Sequence, residues 1–499
     1  MIFNFNTNQF INNKISTAPF IIGTDISLTQ NEAYNLHLTL KNILLDLQLP
    51  KGHPICIYGE KEALFPIVMI TLIALDIPYI PIDAIMPSGR IKNIQQQTES
   101  KVLINCTNKN CDVEFDICIA NNFQIIKNKT NITFPVINGN SSDPIRYILF
   151  TSGSTGTPKG VQITANALNS FVNWFVTWPE INTQTVFMNQ APFSFDVSLC
   201  DFIGTFACGA TLVLNNYTIL KSGNPFLERL KKFKANTIIC TPSFIKMYVS
   251  VPDFNEDNYP ELIQIIFMGE ELLASTVRKI KSKFPKLKVV NAYGPTEATV
   301  VVTYIQITDD ILNKYSTSLP IGYCRPNAEL VVLNKDVNSG IGELGLIGNN
   351  LSIGYFNDIE KTNQAFIFEK GKRIYKTGDV GYIKDDLVFY CGRNDNQVKL
   401  NGYRIELDEI TSMLLMHPRI INASTIPLTK DGTAKKIISF IVVDNNVNEA
   451  ELELKSYLLI NLPSYMIPSE FIILKEFPLN SNYKTDKKAL LDLYLSNNV

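Results

Sequence analysis

The sequence predicts an α/β protein with a large N-terminal domain and a small, mobile α+β C-terminal domain. Short apolar runs alternate with helical segments as far as about Thr303. Glycine-punctuated β segments follow between Leu319 and Cys391, and the chain after Asp395 mixes helices with strands. Alternating strands and helices favour parallel sheets covered by helices. A length of 499 residues allows about three structural units.

The first part of the chain reads as one α/β subdomain. Helical periodicity predicts helices over Glu32–Leu47 and Ala63–Leu75. Strands are predicted at His53–Tyr58, Tyr79–Ile82, Lys101–Asn105 and Phe115–Ile119, and polar loops at Asn121–Asn131 and Gly139–Asp143.

The same pattern returns from Tyr147 and predicts a second α/β subdomain, followed by a β-barrel-like subdomain. The strands expected in these two parts are Thr237–Cys240, Ile263–Met268, Lys288–Asn291, Glu329–Leu333, Leu344–Ile347 and Leu387–Tyr390. After Asp395 we expect helices at Leu407–Met416 and Glu449–Leu459, with strands at Lys436–Val443 and Glu470–Leu474. The predicted domains are therefore residues 1–394 and 395–499.

Composition excludes several classes of function. With 45 Lys and Arg against 47 Asp and Glu, the net charge of −2 argues against a nucleic-acid partner. Three histidines, far apart in sequence, argue against a Ser-His-Asp triad or a histidine-rich metal site. Nine cysteines without a CxxC pair indicate free thiols in a reducing compartment.

The N-terminus does not have the charged and apolar regions of a signal peptide. The most apolar stretch, Leu64–Leu75, is shorter than the ~20 residues that span a bilayer. We therefore expect a cytoplasmic protein that does not insert into membranes.

The strongest local signal is a loop that follows the apolar strand at Tyr147–Phe150. Within ten positions it contains three glycines, five hydroxyl residues and a lysine. Glycines let successive backbone N–H groups face one point, hydroxyls add donors and lysine adds positive charge, which together suit a polyphosphate. It is not a Walker A loop, because no Gly-Lys-Ser/Thr closes it. The candidate phosphate ligands are Thr151, Ser152, Gly153, Ser154, Thr155, Gly156 and Lys159.

This loop resembles the phosphate loop of the adenylate-forming enzymes, and further segments resemble that family's motifs in the same order. They cover nearly the whole chain: Asn291–Thr299, Tyr375–Asp379, Gly392–Asp395, Gln397–Leu407 and Leu462–Pro468. The resemblance implies the family's two-domain α/β architecture, and ATP and Mg²⁺ as cofactors.

The segment Asn291–Thr299 resembles the nucleotide motif of the family. The resemblance implies that Tyr293 stacks on adenine, Asn291 meets its polar edge and Thr296 contacts phosphate. Glu297 is implied to hold Mg²⁺, a role that suits a hard carboxylate oxygen. Thr151 and Glu297 are thus implied to assist catalysis.

The segment Tyr375–Asp379 resembles the ribose motif, in which Asp379 accepts both ribose hydroxyls. Arg393 is implied to add a further ribose contact. The remaining nucleotide-binding positions implied by the family are Ala292, Gly294, Pro295 and Tyr390.

Lys484 matches the family's catalytic lysine, which contacts nucleotide and substrate and stabilises charge between the carboxylate and the α-phosphate. The family usually has glycine directly before this lysine, whereas this chain has Tyr483, which adopts left-handed backbone conformations less readily. Asp395 falls at the hinge position between domains. Gly402 falls where a family strand lines the tunnel for the thiol.

Asp196, in the segment Asn189–Ser198, indicates which acid is activated. In adenylation domains for amino acids, the matching aspartate pairs with the substrate's α-ammonium. A buried carboxylate is costly unless paired, so an apolar setting implies a cationic partner. A helix N-cap is the alternative interpretation.

The sequence is most similar to the branch of D-alanine–D-alanyl carrier protein ligases, on the segments Asn189–Ser198, Thr241–Phe244, Asn291–Thr299 and Ile80–Asp83. Met268 stands where that branch usually has cysteine. The implied apolar lining consists of Val197, Cys200, Met268, Ala292, Val300 and Val301. It implies a small or medium amino acid, with D-alanine as first choice.

The acceptor implied by the resemblance is the phosphopantetheine thiol of a separate carrier protein, since no carrier motif follows Lys488. A monomer is expected. Three alternatives stay open. A peptide-synthetase-type adenylation enzyme for another amino acid is kept open by Met268 and Tyr483. An acyl- or aryl-CoA ligase is disfavoured by Asp196. An inactive ATP-binding protein is supported only by Tyr483.

We expect Lys484→Ala to remove most amino-acid-dependent ATP/pyrophosphate exchange, because the charge developing between carboxylate and α-phosphate loses its counter-charge. Circular dichroism should show an intact fold. Undiminished exchange in this variant would contradict the assignment of Lys484.

Overall fold

The computed structural model describes residues 18–129, 132–134, 142–153, 157–430, 433–443, 450–478 and 485–497. The chain forms two compact units. One contains the chain up to Ala84, then Gln95–Phe150 and Gly160–Asn394, and the other contains Ile85–Ile94, Thr151–Lys159 and the chain from Asp395. The second unit thus includes two short segments that precede Asp395, and the domain division at Asp395 stays a prediction.

The strands of the first unit are regular and mostly short. They are β1 (Pro19–Ile22), β2 (Ser27–Thr29), β3 (Ile55–Gly59), β4 (Tyr79–Asp83), β5 (Val102–Asn105), β6 (Ile117–Ile119), β7 (Ile125–Lys127), β8 (Ile145–Thr151), β9 (Lys159–Thr164), β10 (Val186–Asn189), β11 (Thr211–Val213), β12 (Thr237–Cys240), β13 (Gln264–Phe267), β14 (Lys288–Tyr293), β15 (Thr303–Gln306), β16 (Tyr323–Cys324), β17 (Ala328–Leu333), β18 (Gly342–Gly348), β19 (Gly354–Tyr355), β20 (Phe366–Glu369), β21 (Lys372–Lys384) and β22 (Leu387–Arg393). The ends of β8 and β9 reach into the second unit.

The helices of this part of the chain are α1 (Gln30–Asp46), α2 (Leu64–Ala74), α3 (Ser88–Thr98), α4 (Ala165–Phe175), α5 (Ser198–Cys208), α6 (Tyr217–Ser222), α7 (Asn224–Lys232), α8 (Pro242–Val249), α9 (Ala274–Lys283), α10 (Asp309–Lys314) and α11 (Ile359–Ala365). A 3₁₀ turn lies at Thr296–Ala298. The predicted elements Glu32–Leu47 and Ala63–Leu75 correspond to α1 and α2.

The first α/β layer is an eight-stranded sheet in the order β19-β9-β8-β4-β3-β5-β6-β7. Its centre is parallel, since β3 pairs in parallel with β4 and β5, and β4 with β8. Every residue of β3 and nearly all of α2 are buried, as expected for a parallel sheet covered by helices. The short strand β7 lies in the predicted loop Asn121–Asn131. All its residues are exposed, so no burial pattern marks it.

The second layer is a nine-stranded sheet in the order β16-β15-β14-β13-β12-β10-β11-β1-β2. Strands β10, β12, β13 and β14 run parallel. Their registers align Asn189 with Ile239, Ile239 with Ile266 and Ile266 with Val290. The segments that leave these strands therefore start at one edge, the carboxyl edge, where open α/β sheets bind ligands.

The third part of this unit is a five-stranded antiparallel sheet in the order β17-β18-β21-β20, with β22 paired to β21. It has an apolar core of its own, which includes Tyr293, Leu344, Leu346 and Tyr375. Two α/β layers with a β subdomain confirm the predicted fold class.

The second unit continues with β23 (Gln397–Leu400), β24 (Tyr403–Glu406), α12 (Leu407–Leu415), β25 (Ile420–Lys430), β26 (Thr433–Val443), α13 (Ala450–Asn461), β27 (Glu470–Ile473) and α14 (Lys487–Asn497). Asn401 and Gly402 connect β23 and β24 with φ values of 52° and 85°. Two consecutive positive φ angles are typical of a two-residue hairpin turn, which favours Asn-Gly. Among all the described helices, none has the length and apolarity needed to cross a bilayer.

Gly204 sets the approach of α5 to the second sheet. A Cβ atom at this position would lie 2.5 Å from Cζ of Phe187 on β10. We expect Gly204→Ala to lower the free energy of unfolding by about 1–2 kcal/mol, because overpacking outweighs the gain in helix propensity. Thermal and denaturant unfolding measure the change.

Phe187→Leu provides the matching test, because it opens space where the new methyl group must fit. The double variant should lose less stability than the sum of the two single variants. Strict additivity would show that the Gly204–Phe187 contact is not the constraint.

Candidate nucleotide and substrate site

The nucleotide motif lies at the carboxyl end of β14. Asn291 and Tyr293 are both buried there, and Nδ2 of Asn291 donates to the carbonyl oxygen of Pro320 at 2.8 Å. At Gly294, a Cβ atom would lie 2.4 Å from the carbonyl oxygen of Val300. Glycine is therefore required where the chain turns back beside Val300.

Asp379 and Tyr293, both buried, form one cluster with the half-buried Arg393. The Tyr293 hydroxyl donates to Oδ2 of Asp379 at 2.7 Å, and the Arg393 guanidinium donates to Oδ1. Asp379 on β21 lies opposite Arg393 on β22, so the sheet register itself creates the ion pair. The Arg393 guanidinium also donates to the carbonyl oxygen of Thr377 at 3.1 Å.

The electrostatics of this cluster keep it ready to accept hydrogen bonds. Burial and the Asp379 carboxylate raise the pKa of Tyr293 well above its ordinary value, so its hydroxyl stays protonated and donates. A carboxylate offers about four lone-pair sites. Asp379 therefore keeps accepting capacity for ribose hydroxyls in addition to its two protein partners.

Glu297 lies in the 3₁₀ turn that follows the nucleotide motif. Its side chain is fully buried, and its Oε1 accepts from the Tyr355 hydroxyl at 3.0 Å. Thr299 and Val300, which directly follow this turn, have φ values of 56° and 67°. Left-handed backbone at β-branched residues is strained, and such strain clusters at functional sites. The Thr299 hydroxyl helps to hold this turn by donating to the carbonyl oxygen of Asn350 at 2.7 Å.

The Glu297 carboxylate suits a Mg²⁺ ion that also binds phosphate oxygens of the substrate. Within the described residues, no group of three or more His, Cys, Asp and Glu side chains could hold a metal ion by itself. Mg²⁺ is commonly bound through one or two carboxylates together with substrate phosphates. A single buried carboxylate fits that arrangement.

The described part of the phosphate loop has the properties expected of an anion site. Oγ1 of Thr151 is buried and makes no hydrogen bond to any residue that the structure describes. A Cβ atom on Gly153 would lie 2.0 Å from the carbonyl oxygen of Thr157, so only glycine fits. The predicted ligands Ser154, Thr155 and Gly156 lie outside the described residues.

Within the second unit, the start of this loop contacts residues near α12. The backbone N–H of Gly153 donates to Oε2 of Glu409 at 3.0 Å, and Oε1 of Glu409 accepts from the buried Arg90 at 2.8 Å. The Ser152 hydroxyl donates to the carbonyl oxygen of Arg404 at 3.0 Å. Lys159 lies 4.0 Å from Glu406. A phosphate oxygen at Gly153 would compete with the Glu409 carboxylate.

Asp196 lies between the carboxyl edge of β10 and the start of α5, and its side chain is half-buried. The N-cap of α5 is Val197, so Asp196 lies one position before the cap. The interpretation of Asp196 as a helix cap stays an alternative prediction. Burial raises the pKa of the Cys200 thiol well above its ordinary value, and the carboxylates of Asp201 and Asp196 add to the rise. Asp196 thus lies close to the predicted apolar lining.

The predicted lining residues are brought into one apolar core. Cys200, Met268, Ala292, Val300 and Val301 are buried in it, and Val197 packs against it half-buried. Met268 directly follows β13 and Ala292 lies near the end of β14, so both are at the carboxyl edge.

Several other predicted residues have clear positions. Tyr390 on β22 packs against the same apolar cluster as Tyr293. Thr296 is buried in the 3₁₀ turn after Pro295. In the second unit, Oδ1 of Asp395 accepts from the backbone N–H of Gln397 at 3.2 Å. Lys484 and Tyr483 lie outside the described residues.

Two further features of the site are not indicated by any sequence motif: Tyr355, and a buried polar network of Lys61, Asn189 and Asp201. Lys61 is almost fully buried and contacts Asn189, which in turn donates to Asp201. Its neighbours in sequence, Glu60 and Glu62, are acidic, so the segment reads as an exposed charged turn. Nothing in the local pattern indicates burial.

Comparison with known proteins gives consistent matches. A family described as AMP-binding enzyme matches residues 11–356. A D-alanine--D-alanyl carrier protein ligase of Bacillus licheniformis is 36% identical over 489 residues, which cover 94% of this chain and 95% of the relative. A ligase of the same name from Listeria welshimeri is 36% identical over 490 residues and covers 92% of both chains.

Solved structures agree in fold. The Vibrio cholerae adenylation domain AlmE in complex with glycyl-adenosine-5'-phosphate superposes with a TM-score of 0.82 at 20% identity and covers 99% of both chains. Holo-PA1221, a protein with adenylation and PCP domains, superposes with a TM-score of 0.80 at 24% identity and covers 96% of this chain and 82% of that one.

We expect Tyr293→Phe to raise the KM for ATP by about two- to tenfold, the range of one net hydrogen bond. The aromatic face for adenine stays, whereas Asp379 loses one of its two side-chain donors and keeps Arg393. Steady-state kinetics at varied ATP concentration measure the change. Tyr382→Phe is the control. Tyr382 lies on β21, as Asp379 does, but it stacks on Phe389 and has no predicted ligand. An unchanged KM for ATP in Tyr293→Phe would contradict this role.

Proposed function

Because the chain belongs to the AMP-binding enzyme family, we propose that it uses ATP to activate a small amino acid as aminoacyl-AMP and transfers it to the phosphopantetheine thiol of a carrier protein. D-alanine is the first choice of substrate, on the strength of ligases that are 36% identical over more than nine-tenths of this chain. The motif-based identification of an adenylate-forming enzyme related to these ligases is confirmed.

The observation that carries the amino-acid assignment is the position of Asp196. It lies between the carboxyl edge of β10 and the start of α5, close to Cys200 of the apolar lining. A carboxylate beside apolar side chains is stabilised by a cationic partner. The α-ammonium of an amino acid supplies that partner, and a fatty or aryl acid does not.

In the first half-reaction, a carboxylate oxygen of the amino acid attacks the α-phosphorus of ATP. The new O–P bond forms as the bond to the β-phosphate oxygen breaks and pyrophosphate leaves. Lys484 stabilises the charge between carboxylate and α-phosphate, and the loop from Thr151 binds phosphate oxygens. Positioning and electrostatics supply the catalysis, since the attacking carboxylate is already ionised.

Tyr293, Asp379 and Arg393 bind and orient the nucleoside, with the Asp379 carboxylate accepting from the ribose hydroxyls. Glu297 would hold Mg²⁺ on the phosphates, where the ion neutralises negative charge. The Tyr355 hydroxyl, which donates to Glu297, orients this carboxylate.

In the second half-reaction, the carrier thiol attacks the carbonyl carbon of the aminoacyl adenylate. The C–S bond forms, the C–O bond to AMP breaks, and the thiol proton leaves to solvent. We infer that the chain from Asp395 rotates about this residue between the two reactions, which withdraws Lys484. The protein is expected to act as a monomer in the cytoplasm.

Met268 favours one second candidate within the same reaction class, namely another small amino acid. The residue is buried in the lining, where its side chain occupies more volume than the cysteine usual in the resembling branch. Cys200 and Ala292 are small and leave volume on other sides of the lining. The size of the amino-acid side chain that fits therefore depends on the volume that Met268, Cys200 and Ala292 leave open.

We expect wild-type enzyme to catalyse ATP/pyrophosphate exchange most strongly with D-alanine in a screen of D- and L-amino acids and simple carboxylates. Asp196→Ala should raise the KM for the amino acid by roughly 30-fold or more, as expected when one partner of a buried charge pair is lost. The KM for ATP should stay within about twofold.

Asp309→Ala is the matched control, because it removes an exposed carboxylate that pairs with Lys281. Equal losses for amino acid and ATP in Asp196→Ala would point to a structural role. Strong exchange with simple carboxylates alone would instead indicate an acyl ligase and overturn the proposed function.

A further inference from the structure

Lys61 lies in the turn between β3 and α2, and only 2% of its surface is exposed. Lysine is almost never buried to this degree without partners. Its ammonium group donates to Oδ1 of Asn189 and to the carbonyl oxygen of Ala191. The same group lies 4.5 Å from the centre of the Phe193 ring. All three partners belong to the segment that leads from β10 to Asp196.

A carboxylate at the other end of this segment completes the network. Nδ2 of Asn189 donates to Oδ2 of Asp201 at 2.7 Å, and Oδ1 of Asp201 accepts from the backbone N–H of Phe202 at 2.9 Å. Asp201 lies in the first turn of α5. The hydrogen bond between Asn189 and Asp201 therefore joins the two ends of the segment, and Lys61 contacts Asn189 at its start.

The two charges compensate each other in the interior. Burial lowers the pKa of Lys61 to about 8 and raises the pKa of Asp201 to about 6, while each charge opposes the shift of the other. The attraction between the two groups therefore favours the charged form of each. The other acidic groups that act on Lys61 are Asp83, Glu60 and Glu62, and all of them favour its charged form.

The segment that carries Asp196 depends on these contacts for its shape. Between Asn189 and Ser198 the chain follows turns, with backbone hydrogen bonds from Phe195 to Pro192 and from Ser198 to Phe195. The Phe193 ring also stacks on the Phe65 ring, with 4.8 Å between the ring centres. The ammonium group is thus the polar anchor at the start of the turn.

We propose that Lys61 is a positioning residue for the amino-acid site, whose buried ammonium group sets the turn that presents Asp196 to the substrate's α-ammonium. The inference rests on the proposed function. Lys61 does not touch the substrate in this role. It acts through Asn189, Ala191 and Phe193, and its positive charge compensates the negative charge of the nearby Asp201 carboxylate.

The test is Lys61→Met, which keeps the aliphatic stem and removes the charge. We expect the KM for D-alanine in ATP/pyrophosphate exchange to rise by about 10- to 100-fold, the effect of a misplaced binding group. The KM for ATP should stay within about twofold. Lys283→Met is the matched control, because Lys283 also donates to a backbone carbonyl, that of Val251 at 2.5 Å, away from the Asp196 segment.

A second variant separates positioning from stability. Lys61→Met leaves Asp201 as an unpaired buried charge and should lower the melting temperature. Lys61→Met combined with Asp201→Asn removes both charges and should recover much of that loss. The KM for D-alanine should stay raised in the double variant, because the Ala191 carbonyl and the Asn189 side chain still have no ammonium partner.

Each other outcome overturns the inference. Equal rises in the KM for ATP and for D-alanine, or no rise in either, would give Lys61 a structural role alone. Recovery of the KM in the double variant would show that charge balance is the whole effect. The ATP/pyrophosphate exchange screen on the wild-type enzyme tests the proposed function separately. If it prefers another amino acid, the same comparison is made with that substrate, and if no amino acid supports exchange, the proposed function and the inference fail together.

Discussion

A buried charge needs a partner, and this constraint organises the functional parts of the chain. Asp379 is paired by Arg393 and Tyr293, and Asp201 by Lys61 through Asn189. Each network spans elements that are far apart in sequence. Removing water from a carboxylate is costly, so such pairs are kept only where geometry supplies several hydrogen bonds. The networks therefore fix turns at which ligands can bind.

The parallel register of the second sheet explains why these turns lie together. Strands β10, β12, β13 and β14 end at one edge, and the segment of Asp196, Met268 and the nucleotide motif all leave from that edge. Sheet pairing in the β subdomain does the same for Asp379 and Arg393. The arrangement of the site residues thus depends on strand register, because a shift of one residue would turn the other set of side chains toward the site.

Much of the fold was predictable because burial and periodicity agree in long elements. The fully buried strand β3 and the apolar helix α2 are clear in the sequence, whereas the exposed strand β7 has no signal. The site residues with motif context, such as Tyr293 and Asp379, were also predictable. Lys61 was not, because its burial results from tertiary contacts with Asn189 and Ala191, more than a hundred positions away. The turn at Asn401-Gly402 is also predictable, because Asn-Gly is a strong sequence signal for a two-residue hairpin.

Two of the three histidines, His37 and His53, have structural roles. His37 and His53 are buried, and burial lowers the pKa of His53 to about 4, so it is neutral at physiological pH. Both have structural partners, Thr71 for His37 and the backbone N–H of Lys101 for His53. Neither is placed as a general base in the proposed reaction. Activation of an ionised carboxylate needs none, and its rate depends on how well fixed charges are placed around the reacting atoms. A buried lysine that sets one of those charges can then influence substrate use without approaching the substrate.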